Sequence, residues 1–275
     1  MNIDASTLEF LRKQHIHFCL PMYGGQCNEA TFISMIRFCI IAQKIGINYS
    51  IDTMVNESLI TRGRNNLVAK MLNNQAATHL FFIDVDLGFE PESILRLICH
   101  NQDLVGGVYP MKCIPIKYVI NTVPEPMVIG DLIEVSTLGT GFMCVKRHVI
   151  EKLIEAHPER KYNDNVGIGK HLEPYMYALF DTSIDEQKNY LSEDWTFCWL
   201  WRKLGGRVFA DTKIKLNHTG YHCYEGNVAE LEKVLLGQTS NGVSFNADDV
   251  NIAVDGEINA KQSEVTEKKN IRKKK

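Results

Sequence analysis

The chain has no apolar run long enough to cross a bilayer, no C-x-x-C pair, no internal repeat and no large charge of either sign. Each absence bears on a class of protein. The most apolar helical stretch, TFISMIRFCIIAQ, contains Arg37 and falls short of the about 20 residues a span requires. The opening MNIDASTLEFLRKQ is charged and lacks the unbroken apolar core of a signal peptide. Together they lead to the expectation of a cytoplasmic protein without stable membrane insertion. A net charge of -3 gives no whole-surface attraction to nucleic acid or anionic lipid, so any such partner must meet a local patch. Eight cysteines are present, mostly within apolar runs such as HFCL, RLICH and GFMCV, where a thiol behaves as a small hydrophobe. That scatter speaks against a disulfide framework and for a reducing compartment.

What is present is the raw material of an α/β domain. The 275 residues are 45% hydrophobic and 23% charged, ordinary for a globular chain able to bury a sizeable core. The first half alternates strand-like and helix-like segments. HIHFCL, NYSIDTM, HLFFIDVD and DLVGGVYP read as strands; between them lie helices over 28–46, over TRGRNNLVAKMLNNQ and over PESILRLICH, the last opening on Pro91. Strands separated in this way predict a largely parallel sheet with helices on both faces. DLIEVSTLGTGFMCVKR reads as two short strands around a Gly-Thr-Gly turn, followed by the helix RHVIEKLIEAH. Residues 158–190 are polar with little periodicity. SEDWTFCWLWRKLGG predicts a helix capped by Ser192 with acids in its first turn, and RVFAD and IKLNH two more strands. The predicted division is a domain over 1–225, with halves at about 15–110 and 111–225, then a helix at 226–237. A polar tail at 238–275 ends KKNIRKKK; it is either solvated or a weak anchor to an anionic surface.

Asp84 and Asp86 close the third strand. Residues two apart in a strand share a side, so the two carboxylates can converge beyond the carboxyl ends of the sheet, where ligands bind. A hard divalent cation, Mg²⁺ or Mn²⁺, suits such oxygen ligands; a solvated strand end is the plain alternative. An EF-hand loop starting at Asp84 would require Gly and Glu where Phe89 and Leu95 stand, and is excluded. A haloacid-dehalogenase-like phosphatase also uses a strand ending in D-x-D. That family opens its domain with the motif, follows it with Thr or Val where Gly88 stands, and would have to find its later acidic pair in Asp248 and Asp249.

Five pieces in order, FCLPMY, RGRNN, FFIDVD, SEDW and WLWRKLGG, resemble the pattern of GT-A glycosyltransferases, particularly family 2-like members, over roughly residues 15–222. The resemblance implies the GT-A fold: a Rossmann-like, mostly parallel central sheet flanked by helices, with a smaller mixed acceptor-side region. It implies a metal-dependent, inverting transfer of one sugar from a nucleotide-sugar donor, UDP- or GDP-linked, to an acceptor hydroxyl on a glycan, lipid, protein or modified base. In that pattern Asp86 binds Mn²⁺ or Mg²⁺ directly, Asp84 touches ribose or a metal-bound water, and a late His is the third ligand. His218 is chosen over His222 because it closes the strand IKLNH. Arg62, Arg64 and Asn65 start a helix and fall near the nucleotide, while Pro21 and Tyr23 line the base pocket, Tyr23 alternatively being packing. Asp52 stands where family 2 members carry a base-gripping turn, although SIDTMVNES matches it poorly. Asp194 is the base that takes the acceptor's proton, supported by Glu193; the alternative is that both acids merely favour their helix's positive end. Gly139, Thr140 and Gly141 fall at a loop near the donor sugar, a position a hairpin turn explains as well. Of Trp195, Trp199 and Trp201, one faces the acceptor and the others are core. The absence of a Q-x-x-R-W box argues for a non-processive enzyme. A phosphatase of the kind above and an inactive nucleotide- or glycan-binding module stand as the rival readings.

Overall fold

The computed structural model describes residues 4–118 and 120–241. In chain order the elements are α1 (Ala5–Arg12), β1 (His15–Met22), α2 (Glu29–Ile45), β2 (Asn48–Val55), α3 (Ile60–Asn73), β3 (His79–Ile83), β4 (Leu87–Phe89), α4 (Glu92–Cys99) and β5 (Leu104–Gly107). Then come β6 (Asn121–Thr122), β7 (Val128–Ile129), β8 (Leu132–Thr137), β9 (Phe142–Lys146), α5 (Arg147–Ala156), β10 (Ser183–Ile184) and β11 (Tyr190–Leu191). The chain continues with α6 (Glu193–Lys203), β12 (Val208–Asp211), β13 (Leu216–Thr219), β14 (Cys223–Glu225) and α7 (Val228–Asn241). The described residues through Thr239 form one unit by their contacts. The last helix runs into the segment predicted as tail; the rest of that tail, with Asp248 and Asp249, lies outside the described residues.

The central sheet has the order β2-β1-β3-β9-β5-β12-β8-β6, with β7 also on β8. Strands β1, β2 and β3 are mutually parallel; β9 is antiparallel to both β3 and β5; β12 is parallel to β5 and antiparallel to β8. All but β8 and β9 therefore share one sense, which gives the mostly parallel α/β sheet that the alternation predicts, with one reversed strand set into its middle. The Gly-Thr-Gly segment is not a hairpin turn: β5 and β12 lie between the strands it joins.

Side chains sort by the period of two. Leu80 and Phe82 of β3, with Met143 and Val145 of β9, pack under α3, α5, α6 and α7. Phe81 and Ile83, with Phe142 and Cys144, face α1, α2 and α4. All five residues of β3 are buried, as an apolar run covered on both faces requires. At Gly46 the backbone turns left-handed (φ 78°), ending α2 where the sequence puts its stop. Among the described residues no helix is long and apolar enough to cross a membrane, and all eight cysteines are free thiols. A small antiparallel sheet, β14-β13-β4, stands against the carboxyl end of β3.

Candidate functional site

Parallel β1, β3 and β5 end at one rim, and the reversal of β9 brings its start to the same rim. Ile83 pairs with Phe142, and the Asp84 amide donates to the Gly141 carbonyl at 2.9 Å. Strand β3 stops at Ile83, so Asp84 and Asp86 sit in the turn to β4 rather than on a strand. The period-two argument for their convergence therefore does not apply. Both carboxylates line one cleft of about 310 Å³, with Pro21, Tyr23, Glu57, Gly63 and Arg64. A second cleft of about 480 Å³ is lined by Tyr109, Lys112, Gly139, Glu193, Asp194, Trp195 and His218, among others.

Arg64 joins the two groups of acids. It is 4% exposed, lies over the Phe82 ring, and donates to Asp84 Oδ1 at 2.9 Å and to Glu193 Oε1 at 3.3 Å. Its Nη1 is buried without a partner. An unsatisfied guanidinium donor on this cleft wall is suited to an anionic oxygen. Asp84 is thus held by Arg64.

Asp86 has different surroundings. Its Oδ2 meets Lys112 Nζ at 2.5 Å and faces His218 Nε2 at 3.4 Å, while its Oδ1 is buried with no partner. Burial works to raise this carboxyl, but His218 and Lys112 outweigh it and hold it below its ordinary value. His218 Nδ1 lies 2.8 Å from the Pro110 carbonyl, which can only accept, so Nδ1 carries a proton. Nε2 is then the nitrogen facing the carboxylate, where it can donate a proton to Asp86 or, without that proton, offer a lone pair to a cation. An orphaned carboxylate oxygen and an imidazole lone pair beside the same group are a donor set that fits a divalent cation. Among the described residues no three His, Cys, Asp or Glu side chains converge as a metal cluster. The chain therefore brings Asp86 and His218 together and leaves Asp84 outside, a correction to the expected three-residue set.

At the start of α6, Asp194 Oδ1 accepts from the Ser192 hydroxyl and from the Trp195 amide at 2.9 Å. Ser192 occupies the cap position, yet its side chain serves Asp194 instead of a helix amide. Burial raises the Asp194 carboxyl above its ordinary value; the Ser192 hydroxyl opposes this and the Glu193 charge adds to it. A carboxyl group lifted in this way on a cleft wall suits a proton acceptor.

Other expected residues are engaged elsewhere. Asn65 is 3% exposed and exchanges two 2.8 Å hydrogen bonds with the backbone of Phe180. It fastens α3 to the segment before α6 and has nothing left for a ligand. Arg62 is gripped by Glu57 at 2.7 and 2.8 Å, and Asp52 by His17 and Lys70 at 3.2 and 3.1 Å; neither Arg62 nor Asp52 lines a cleft described above. Thr140 is 2% exposed. Its two glycine neighbours have a packing reason: an added Cβ would stand 2.5 Å from the Tyr109 oxygen at Gly139 and 2.8 Å from its ring at Gly141. Trp195 lines the larger cleft, while Trp201 is buried and Trp199 packs on the core under the Lys203 ammonium. His222 is exposed beside Tyr224, away from Asp86.

Two site residues were not foreseen. Tyr109 packs roughly perpendicular to the His218 ring, accepts from the Gly141 amide at 3.2 Å, and has its hydroxyl pushed well up by burial and then by Asp84 and Asp194. Lys112 follows it on the same loop. The only signal available was position: Tyr109 stands at the end of the predicted strand DLVGGVYP and Lys112 two residues past it.

No family model and no curated protein matches the chain. Solved structures similar to it include A197 from STIV, at 17% identity and a TM-score of 0.44, covering 78% of this chain and 94% of that one. The 4-diphosphocytidyl-2C-methyl-D-erythritol synthase of Anaerococcus prevotii DSM 20548 is 10% identical, with a TM-score of 0.32 and coverages of 71% and 99%. GalNAc-T7 with UDP, GalNAc and Mn²⁺ is 8% identical, with a TM-score of 0.41; the match covers 74% of this chain and 43% of that one.

Proposed function

We propose that the chain is a metal-dependent, inverting, non-processive glycosyltransferase that moves one sugar from a nucleoside-diphosphate donor to an acceptor hydroxyl. The observation that carries this reading is a pair of clefts linked through Asp86, which lines the smaller one while its partners Lys112 and His218 line the larger. One offers unsatisfied groups to a cation and an anion, through Asp86 Oδ1 and Arg64 Nη1; the other offers the raised carboxyl group of Asp194.

The smaller cleft takes the nucleotide, with Pro21 and Tyr23 on its wall and Arg64 presenting its free N–H to a phosphate oxygen. Asp86 and His218 would hold the cation, Mg²⁺ or Mn²⁺, which when bound stabilises the charge of the departing diphosphate. The larger cleft takes the acceptor, with Trp195 on its wall. Asp194 accepts the proton of the acceptor hydroxyl as its oxygen forms a bond to the anomeric carbon. The bond from that carbon to the diphosphate oxygen breaks, and its electron pair leaves with the nucleoside diphosphate. Glu193, tied to Arg64, keeps that guanidinium between the two clefts.

The test is turnover and donor binding in Asp194→Asn. Loss of general-base catalysis costs about 10²–10⁴ in kcat, while affinity for the donor stays within a factor of about two. Unchanged turnover would sink the assignment of the base.

A further inference from the structure

The cation ligands are covered by a cation that the chain itself supplies. The Lys112 ammonium stands 2.5 Å from Asp86 Oδ2, the oxygen that also faces His218 Nε2. It is carried on the loop after β5, where Met111 N donates to Lys117 O at 2.7 Å and Pro110 bridges Tyr118. Its stem passes Gly220, where an added Cβ would meet Lys112 Cδ at 3.1 Å. The same loop fixes the His218 tautomer through the Pro110 carbonyl. The ammonium on Oδ2 and a divalent cation that would take the unpartnered Oδ1 with His218 therefore compete for one carboxylate, and both cannot sit close against it without strong repulsion.

We infer that Lys112 is a tethered counter-ion: it neutralises Asp86 in the free protein, gives that carboxylate up to a divalent cation, and then serves the diphosphate of the donor. This rests on the reading of Asp86 and His218 as the cation's protein ligands. The exchange gives the site an order. A cation arriving alone must displace the ammonium, whereas a cation arriving with a diphosphate offers the ammonium new anionic oxygens. Free cation is bound weakly, and cation with nucleoside diphosphate is bound well.

The experiment measures Mn²⁺ binding by electron paramagnetic resonance, with the full chain, without nucleotide and with UDP or GDP. Lys112→Met is expected to bind free Mn²⁺ roughly two- to fivefold more tightly than wild type, the size of an exposed to half-buried ion pair. It should also lose most of the strengthening that UDP or GDP gives wild type. Lys112→Arg, which keeps a cation on the loop, should stay near wild type. Unchanged or weaker binding of free Mn²⁺ in Lys112→Met, with its melting temperature retained, overturns the inference. If Asp86→Asn abolishes binding while Lys112→Met leaves it unchanged, the inference alone falls. If neither nucleotide produces Mn²⁺ binding in wild type or either Lys112 variant, the cation reading falls with it.

Discussion

A carboxyl group that folding lifts above its solution value is destabilising in its charged form, and Asp194 is such a group. The folded state binds its proton more tightly than the unfolded chain does. Its contribution to stability is therefore present in acid and lost as pH rises above about 3.9 through the raised value. Asp194→Asn removes that loss, and we expect a higher melting temperature at pH 7 from the same substitution that is proposed to lower kcat. As a proton acceptor, Asp194 must be charged, so kcat/KM of the wild type should climb with pH through that raised value and then level off. A pH–rate profile without this acid limb would count against Asp194. At this scale the sequence was readable for place: Asp86 lines the smaller cleft, and Asp194 and His218 the larger. It was misleading where the decisive partner is remote. Nothing near Asn65 announces Phe180, 115 positions away, and nothing in RGRNN says that Glu57 occupies Arg62.

Elements hold these residues through a few close approaches. Asn65→Ala deletes both hydrogen bonds to Phe180 and leaves a buried amide and carbonyl without partners. The expected cost is about 2–4 kcal/mol, read as a shift in the denaturant midpoint, because each orphaned group costs about 1–3 kcal/mol. Gly141→Ala sets a methyl group against the Tyr109 ring and should destabilise by about 1–3 kcal/mol as overpacking. Since Tyr109 packs on His218, the same variant should weaken Mn²⁺ binding; unaltered affinity would mean that the ring does not position the imidazole. Element types were legible from periodicity and caps, Gly46 ending α2 being one instance. Two joints were not. The D-x-D run looks like strand to its last residue, but the chain turns at Asp84 to start β4; LGTGFM looks like a hairpin, but joins strands with two others between them.

Across the whole unit, buried Asp211 ties three separate segments together. Arg96 and His100 of the α4 region each reach its Oδ2 at 2.5 Å, and Arg96 also holds Asp131 at 2.7 Å. Burial works to raise this carboxyl, but His100 and Arg96 keep it below its ordinary value. Its stability contribution is therefore present above about pH 3.9 and lost as pH falls through the folded value. Asp211→Asn should cost about 3 kcal/mol at pH 7, the lower part of the range for a broken buried pair because Arg96 stays partly in water. The variant should also show a shallower loss of stability between about pH 4 and 2 in urea titrations. At this scale the alternation of strands and helices was enough to predict a two-sided, mostly parallel sheet. The reversed β9 was not legible, because the apolar run FMCV suits a buried strand of either sense and only its long-range partners decide.

That reversal also separates the molecule's two rims by a fixed standoff. Phe142 begins β9 beside the turn that carries Asp84 and Asp86, and the strand delivers Arg147 to the opposite edge, where its guanidinium holds the carbonyls of Leu72, Asn74 and Ala77. Five extended residues measure about 17 Å. A surface linker or reporter dye placed at that far edge is kept by a stiff spacer from whatever occupies the clefts, so attachment there leaves turnover intact.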